Sequence, residues 1–388
     1  MPAAETPARA RLLSLYVGGF LGPFGGGVVT PMLPELRDGL DTSLAVAASS
    51  LTVYMVPFAA FMVFSGTLAE RWGRRRTVRS AYVAYALASL ACAVAPQALL
   101  FMAGRGAQGI ANAFTTPVLL AALTDLTPPE RLGRALGLFG SLQAAGLTFA
   151  PVVGGLAAAV DWRWAFVVSV VASLALATQP PPDAVREKDG APGGGWRSLA
   201  NPRLAFACGI AFLAYLTTVG VTLQGALIAA DRFGLSPAWR GVVVATFGAA
   251  GLLAGRVVGR QLDGLGPRRF GVLGYALLAT ASISIGLSPR LPFLVLAFAL
   301  GGVAGLAARI TVNALAVRST PENRGGAASL MLACQFLGGA VAPLVLLPVY
   351  RQSSVLGPVV GAAFCLVAGV FLAVAPARVV HGTTARQP

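Results

Sequence analysis

Twelve times along this chain of 388 residues, an apolar run of about twenty residues ends in a short polar or basic break. That repetition limits the fold more than any other feature. An α-helix rising 1.5 Å per residue needs about twenty residues to cross a hydrocarbon core of roughly 30 Å. In lipid the backbone must satisfy its own polar groups, so such runs fold as helices. The runs fall at 12–33, 43–68, 77–95, 98–123, 134–158, 162–179, 204–229, 238–260, 270–288, 291–317, 325–349 and 357–376, numbered here as spans 1 to 12. With 56% apolar and 11% charged residues, the chain has too little charge to wet a soluble surface of this size. The expected fold is all-α and integral to the membrane: twelve transmembrane helices in two pseudo-symmetric six-helix bundles.

The net charge of +15 sits at the ends of the apolar runs and forms no patch on a soluble domain. That distribution excludes nucleic acid as a partner and reads as membrane topology. With the start of the chain inside, twenty Arg and Lys fall on the cytoplasmic side and six outside, while Arg105, Arg256 and Arg309 lie within spans. Both termini are expected in the cytoplasm, and the first span is expected to be retained and not cleaved as a signal peptide. Residues 180–203, rich in Pro, Gly and charge, read as a cytoplasmic linker. They divide the chain into an N-terminal half, 1–179, and a C-terminal half, 204–388. Cys92, Cys208, Cys334 and Cys365 all lie in apolar runs without CxxC spacing and read as reduced packing residues.

The two halves repeat. Gly66, Glu70, Gly73, Arg75 and Arg76 match Gly259, Asp263, Gly266, Arg268 and Arg269 at an offset of 193. Pro129, Glu130 and Gly133 match Pro321, Glu322 and Gly325 at an offset of 192, as do Gln143, Gly146, Ala150 and Pro151 with Gln335, Gly338, Ala342 and Pro343. A constant offset over three spans implies two parallel half-domains that rock about a central site.

Three motifs carry the functional reading. The first is GTLAERWGRRR, 66–76. A stop-transfer cluster accounts for its arginines, but not for Gly66, Glu70 and Gly73 at their spacing. The stretch resembles the G-x-L-A-D-R-x-G-R-R loop of the major facilitator superfamily, with Glu70 in place of Asp. The second is GLFGSLQAAGLTFAPVVGG, 137–155. Its Gly137, Gly146, Ala150, Pro151, Gly154 and Gly155 resemble that superfamily's antiporter motif, with Ala-Pro for Gly-Pro. The third is GRGAQG, 104–109, whose Arg105, Gln108 and Gly109 resemble its Arg-x-x-Gln-Gly motif. The resemblance covers nearly the whole chain and points to the twelve-span drug and metabolite exporters. It implies alternating access, proton antiport, a small-molecule substrate, no cofactor and no metal. It also implies a monomer in a bacterial inner membrane.

The resemblance further implies a cytoplasmic latch of Gly66, Glu70, Arg71, Gly73, Arg74 and Arg75. In it, Glu70 would sit at the start of span 11 and Arg71 would reach Asp125. Asp263, Arg268 and Arg269 would form its counterpart. Pro151 is expected to kink span 5. Gly146, Gly154 and Gly155 are expected to press span 5 onto a ridge of Gly251, Gly255 and Gly259 on span 8. Two readings of Arg105 stand: a proton or substrate residue, or a structural arginine bonded to carbonyls of span 1. An arginine in the bilayer costs roughly 2.5–3.5 kcal/mol on insertion scales, so neither is idle. Arg309 carries the same choice. Arg256 reads as snorkelling.

No Asp or Glu lies deep in a span. The coupling candidates are therefore Glu35, Arg105 and Asp125, and an acid-free cavity with two arginines favours neutral or anionic substrates. Polar residues within the spans propose the cavity itself: Tyr16, Asn112, Gln143, Tyr215, Gln224, Arg309, Asn313 and Gln335. An uncoupled facilitator or importer fits the missing acid. An embedded enzyme or receptor does not fit, because HExxH, GxSxG, a P-loop and a Cys/His cluster are all missing from the sequence.

Overall fold

The computed structural model describes residues 5–181, 196–320 and 323–375. Most of the linker, the Pro321–Glu322 pair, and the side chains of Pro129, Glu130, Gly133 and Asp263 lie outside the described residues. Every regular element among those described is a helix: α1 Glu5–Gly27, α2 Leu33–Gly39, α3 Leu44–Trp72, α4 Arg74–Ala93, α5 Ala98–Ala113, α6 Thr116–Leu126, α7 Pro129–Ala158, α8 Arg163–Ala177, α9 Pro202–Asp231, α10 Pro237–Leu287, α11 Leu291–Ser319, α12 Arg324–Gln352 and α13 Leu356–Val374, with short 3-10 turns at Thr30–Met32 and Trp196–Leu199.

Helices stand at all twelve predicted positions, and nine stretches among the described residues are long and apolar enough to cross a membrane. The helices of spans 1, 3 and 6 fall short of that measure for visible reasons. α1 stops at Gly27, α4 opens on three arginines, and α8 has only 15 residues.

Two spans predicted as continuous are broken. Span 1 ends as α1, passes through the turn at Thr30–Met32 and resumes as α2. Span 4 breaks at Phe114 and Thr115, between α5 and α6. Pro117 follows directly, lacking the N–H that would have bonded Ala113. Spans 8 and 9 are two helical stretches of α10, Pro237–Gln261 and Gly264–Leu287, separated by non-helical backbone at Gly266.

By packing, the chain forms two compact units. Unit 1 comprises 1–187 with 229–248, and unit 2 comprises 188–228 with 249–388. Segment 229–248 belongs to the second repeat in sequence, yet it packs in unit 1. In unit 1, α3 lies on α5, α1 on α7, and α4 on α5 and α8. Its core gathers Leu15, Tyr82, Leu119, Leu123 and Phe139. In unit 2, α12 packs on α11 and α13 around Leu204, Tyr275, Val312 and Leu372.

The sequence repeat reappears in backbone geometry. Gly73 and Gly266, which correspond at an offset of 193, both hold positive φ, 85° and 72°. L side chains rarely adopt that conformation, so each turn requires glycine. The offset of 192 is equally plain in packing. A Cβ on Gly146 would lie 2.0 Å from the carbonyl oxygen of Phe20, and one on Gly338 would lie 2.0 Å from that of Phe212. Each unit thus presses its first helix onto its fifth at a backbone-to-backbone contact. In lipid, where apolar burial gives helices no preference for one another, such close approach is what holds them.

Adding one methyl at either position should force the helices apart, at a cost of roughly 1–3 kcal/mol. Gly146→Ala and Gly338→Ala should each lower the melting temperature in detergent. Gly137→Ala, whose Cβ meets nothing within 4 Å, should not. Equal melting of all three variants would contradict the close approach.

Candidate substrate and coupling site

In unit 1 the polar groups converge on α5. Arg105, Gln108 and Asn112 recur at i, i+3 and i+7 and so share one helix face. All three are buried, Arg105 to 0% exposure. The Arg105 guanidinium donates to Gln108 Oε1 at 2.7 Å and to the Gly25 carbonyl at 3.0 Å, and it lies 4.4 Å over the Tyr54 ring. Gln108 donates on to Ser89 Oγ at 2.7 Å, and Ser89 to the Tyr85 carbonyl at 2.7 Å. Asn112 Nδ2 donates to the Gly22 carbonyl at 2.7 Å and to Tyr54 Oη at 2.6 Å, while its Oδ1 accepts from Thr115 at 2.8 Å.

α1 ends at Gly27, so Gly25 is among its last four carbonyls, which no later helical N–H can reach. Arg105 supplies a donor and a positive charge there, both favourable at a helix C-terminus. A cation over a desolvated ring adds up to about 2 kcal/mol. Arg105 Nε alone of its nitrogens is buried without a partner among the described residues.

Two ion pairs mark opposite ends of unit 1. At the end of α6, Asp125 pairs with Arg74, the first residue of α4. At the other end, Glu35 of α2 pairs with Arg240 of α10, which is 3% exposed. Glu35 Oε2 and Arg240 Nε are both buried without a second partner among the described residues. Beside them, Arg37 Nε donates to Asp38 at 2.7 Å, and that charged bond holds the exposed Asp38 carboxyl below its ordinary range. The chain closes tightly near this end. A Cβ on Gly155 would lie 2.3 Å from the Pro237 carbonyl oxygen, and one on Gly241 2.3 Å from that of Pro151.

In unit 2, Arg309 on α11 is half-buried and has no hydrogen-bond or ion-pair partner among the described residues. Tyr215 is near enough to feel its charge and stands edge-on to Phe336, with ring centroids 5.4 Å apart. Gln224 donates to the Leu346 carbonyl at 3.2 Å. The Oε1 atoms of Gln224 and Gln335 are buried without partners among the described residues. No group of three or more His, Cys, Asp or Glu able to hold a metal occurs among the described residues.

Comparison with known proteins fits this architecture. The profile of the Major Facilitator Superfamily matches residues 15–343 and 216–387. The chain belongs to the Major Facilitator Superfamily. Among curated relatives, a multidrug resistance protein B homolog of Mycobacterium tuberculosis (strain CDC 1551 / Oshkosh) is 38% identical over 131 residues, covering 34% of this chain and 24% of that protein. The puromycin resistance protein pur8 of Streptomyces alboniger is 32% identical over 154 residues, covering 39% of this chain and 31% of that protein. The chain thus spans about a quarter to a third of the length of these relatives. Among solved structures, a POT family transporter in complex with 5-aminolevulinic acid aligns at a TM-score of 0.76 with 12% identity, over 95% of this chain and 96% of that one. A D-xylose-proton symporter aligns at 0.73 with 14% identity, over 93% and 96%. At such identities the likeness is one of fold.

Several sequence expectations change in the structure of this superfamily member. The partner of Asp125 is Arg74, not Arg71. Gly73 turns the chain, leaving Arg71 exposed on the last turn of α3 while Arg74 opens the helix that packs beside span 4. The exposed Gly66 and Glu70 lie on that last stretch of α3, and the exposed Arg75 follows Arg74 on α4. Arg268 is half-buried and Arg269 exposed.

The glycines of α7 do not act as one stripe toward span 8. Gly146 meets α1 at Phe20 and Gly154 meets Val28 just beyond the end of α1, and of the three only Gly155 meets α10. The α10 glycines that face α7 are Gly241 and Gly248, whereas Gly251 meets Gly302 and Gly255 meets nothing. Helix rotation explains the split, since 146 and 154 fall on one face and 155 lies about 100° away. Ala150 is buried against Gly27, on the same face as Gly146. Of the cavity residues, Tyr16 and Gln143 are half-buried and Asn313 is exposed.

Arg240, Tyr54 and Arg74 were not recognised from sequence as partners. Arg240 opens span 8 and belongs to none of the motifs. Its signal was opposite charge at matching depth, with Glu35 closing span 1 and Arg240 opening span 8.

A double-mutant cycle separates the two possible partners of Asp125. Arg74→Ala with Asp125→Ala should show a coupling of about 1 kcal/mol in unfolding. Arg71→Ala with Asp125→Ala should show none. Coupling at Arg71 instead would overturn the assignment.

Proposed function

We propose that this protein is a secondary transporter that exports small neutral or anionic molecules by alternating access, with inward proton flow as the driving force. It works as a monomer in a bacterial inner membrane, with both termini and the linker in the cytoplasm. The observation that carries the substrate charge is Arg309, a half-buried guanidinium with no ion-pair or hydrogen-bond partner among the described residues. Unpaired at depth, it is costly to hold unless a ligand or water meets it. Tyr215 beside it, with Phe336 edge-on to that ring, offers an apolar wall, and Gln335 a polar atom, for an amphipathic substrate.

Export is supported by relatives named for resistance to drugs and puromycin, and by the antiporter-like glycines of α7. In the cycle, Glu35 and Arg240 hold the start of α10 to α2. Arg74 and Asp125 hold the opposite end of span 4 to α4. Protonation of either carboxylate removes one charge of its pair, which is how proton binding would bias one access state over the other. Arg105, with its partners on α1, α3 and α5, serves as the fixed brace against which these ends move.

The lack of any deep Asp or Glu favours one second reading, an uncoupled facilitator. Proteoliposomes loaded with a pH dye decide between them, using ethidium, chloramphenicol and carboxyfluorescein as cationic, neutral and anionic probes. Proton movement coupled to the neutral or anionic probe is expected. Arg309→Gln should cut transport of the anion about tenfold, equivalent to about 1.4 kcal/mol, and leave the neutral probe within about twofold. Efficient ethidium export unaffected by Arg309→Gln would refute the charge preference, and probe flux without proton movement would favour the facilitator.

A further inference from the structure

We propose that Cys208 and Cys334 are a redox-responsive pair that a peroxide converts into a disulfide tying α9 to α12 within unit 2. Four contacts fix how these helices lie. A Cβ on Gly338 would lie 2.0 Å from the Phe212 carbonyl oxygen, and one on Gly339 2.8 Å from the Tyr215 ring. One on Gly220 would lie 2.2 Å from Leu346 Cδ1, and Gln224 reaches the Leu346 carbonyl at 3.2 Å. Residue numbers rise together along both helices, so α9 and α12 run parallel, with residue 212 beside 338. Cys208 and Cys334 each stand four residues before that contact, one helical turn or about 6 Å along the axis. At crossing angles of about 20–40° that step moves the helices sideways by only about 2–4 Å. The backbones therefore remain within the Cα separation a disulfide spans, roughly 4.4–6.8 Å.

The side chains agree with the register. Cys208 belongs to the buried core of unit 2, and Cys334 packs against that core. The two thiols lie within electrostatic reach of one another. Their exposure differs in the sense the chemistry needs: Cys334 is only partly buried and Cys208 is buried. Cys92 and Cys365 are buried without a neighbouring thiol among the described residues.

The reaction balances with a peroxide as oxidant. The Cys334 sulfur, as thiolate, attacks the O–O bond of hydrogen peroxide, giving a sulfenic acid and releasing one oxygen as water. The Cys208 sulfur then displaces the sulfenic oxygen, which leaves as a second water, and the S–S bond forms. Two thiols lose two electrons and one peroxide gains them. A thiol reductant reverses the step by exchange.

The test is independent of the transport reading. The purified full chain in lipid nanodiscs is treated with hydrogen peroxide, blocked with N-ethylmaleimide, denatured and digested for mass spectrometry. A cross-linked peptide joining 208 to 334 is expected, lost on dithiothreitol and absent from Cys208→Ser and Cys334→Ser, with Cys92 and Cys365 still reduced. Recovery of Cys334 as sulfinic acid beside a free Cys208 would overturn the proposal, as would both thiols remaining reduced. The wild-type digest alone decides the matter should either variant fail to fold.

Discussion

In hydrocarbon, a helix that stops partway leaves carbonyls with nothing to accept, and α1 stops at Gly27. Unit 1 answers with a charge. Arg105 reaches across from α5 to the Gly25 carbonyl, and Asn112, two turns further on, reaches the Gly22 carbonyl. Much else follows from this one contact. Arg105 must be buried, so Gln108 must accept from it, and Ser89 must accept from Gln108. Tyr54 supplies a ring to the cation and a hydroxyl to Asn112. Four predicted spans are thereby bound to one another through a network with a single orphaned nitrogen on the arginine. In a low-dielectric setting each satisfied bond of such a network is worth more than in water, and each unmade one costs more.

The second constraint is distance between backbones. Lipid tails are as apolar as leucine, so burial alone does not tell one helix where to sit on another. Gly146 on Phe20, and Gly338 on Phe212, set that position in each unit by the same contact. Because the contact is backbone to backbone, its geometry tolerates changes in nearby side chains but no added carbon. This explains how two halves can keep one architecture while their polar residues diverge. It also explains why two of the three glycines expected to press span 5 onto span 8, Gly146 and Gly154, meet span 1 instead.

The hydropathy runs made the helices legible, and the offset of 192–193 made the repeat legible. Both are local or translational signals. What the runs hid was the break in span 1, because Gly22 to Val29 remain apolar through it and hydropathy is blind to backbone direction. The break in span 4 had a sign in Pro117. Among site residues, Arg105, Asn112 and Glu35 stood out as polar groups in oily surroundings. Their partners did not: Tyr54 is an ordinary aromatic, Arg240 a cation outside the motifs, and Arg74 one arginine among several. Pairing depends on which helices are neighbours and how each is rotated. That information is tertiary, and a one-dimensional pattern carries only its periodicity.

Two arginines within spans, Arg105 and Arg309, show where the halves have parted. Arg105 has a carbonyl, an amide oxygen and an aromatic face to satisfy it. Arg309 has none of the first two among the described residues, and its counterpart position in the first half is Pro117. One repeat thus has a chain break where the other has a cation. A guanidinium kept at that depth without protein partners is stable only if something transient meets it, whether water or a passing ligand. The two arginines therefore differ in what surrounds them. Unit 1 holds Arg105 in a hydrogen-bonded network and has an ion pair at each end. Unit 2 holds Arg309 near Tyr215 without a hydrogen-bond or ion-pair partner among the described residues. The asymmetry is laid over one close approach that both units share, Gly146 on Phe20 and Gly338 on Phe212.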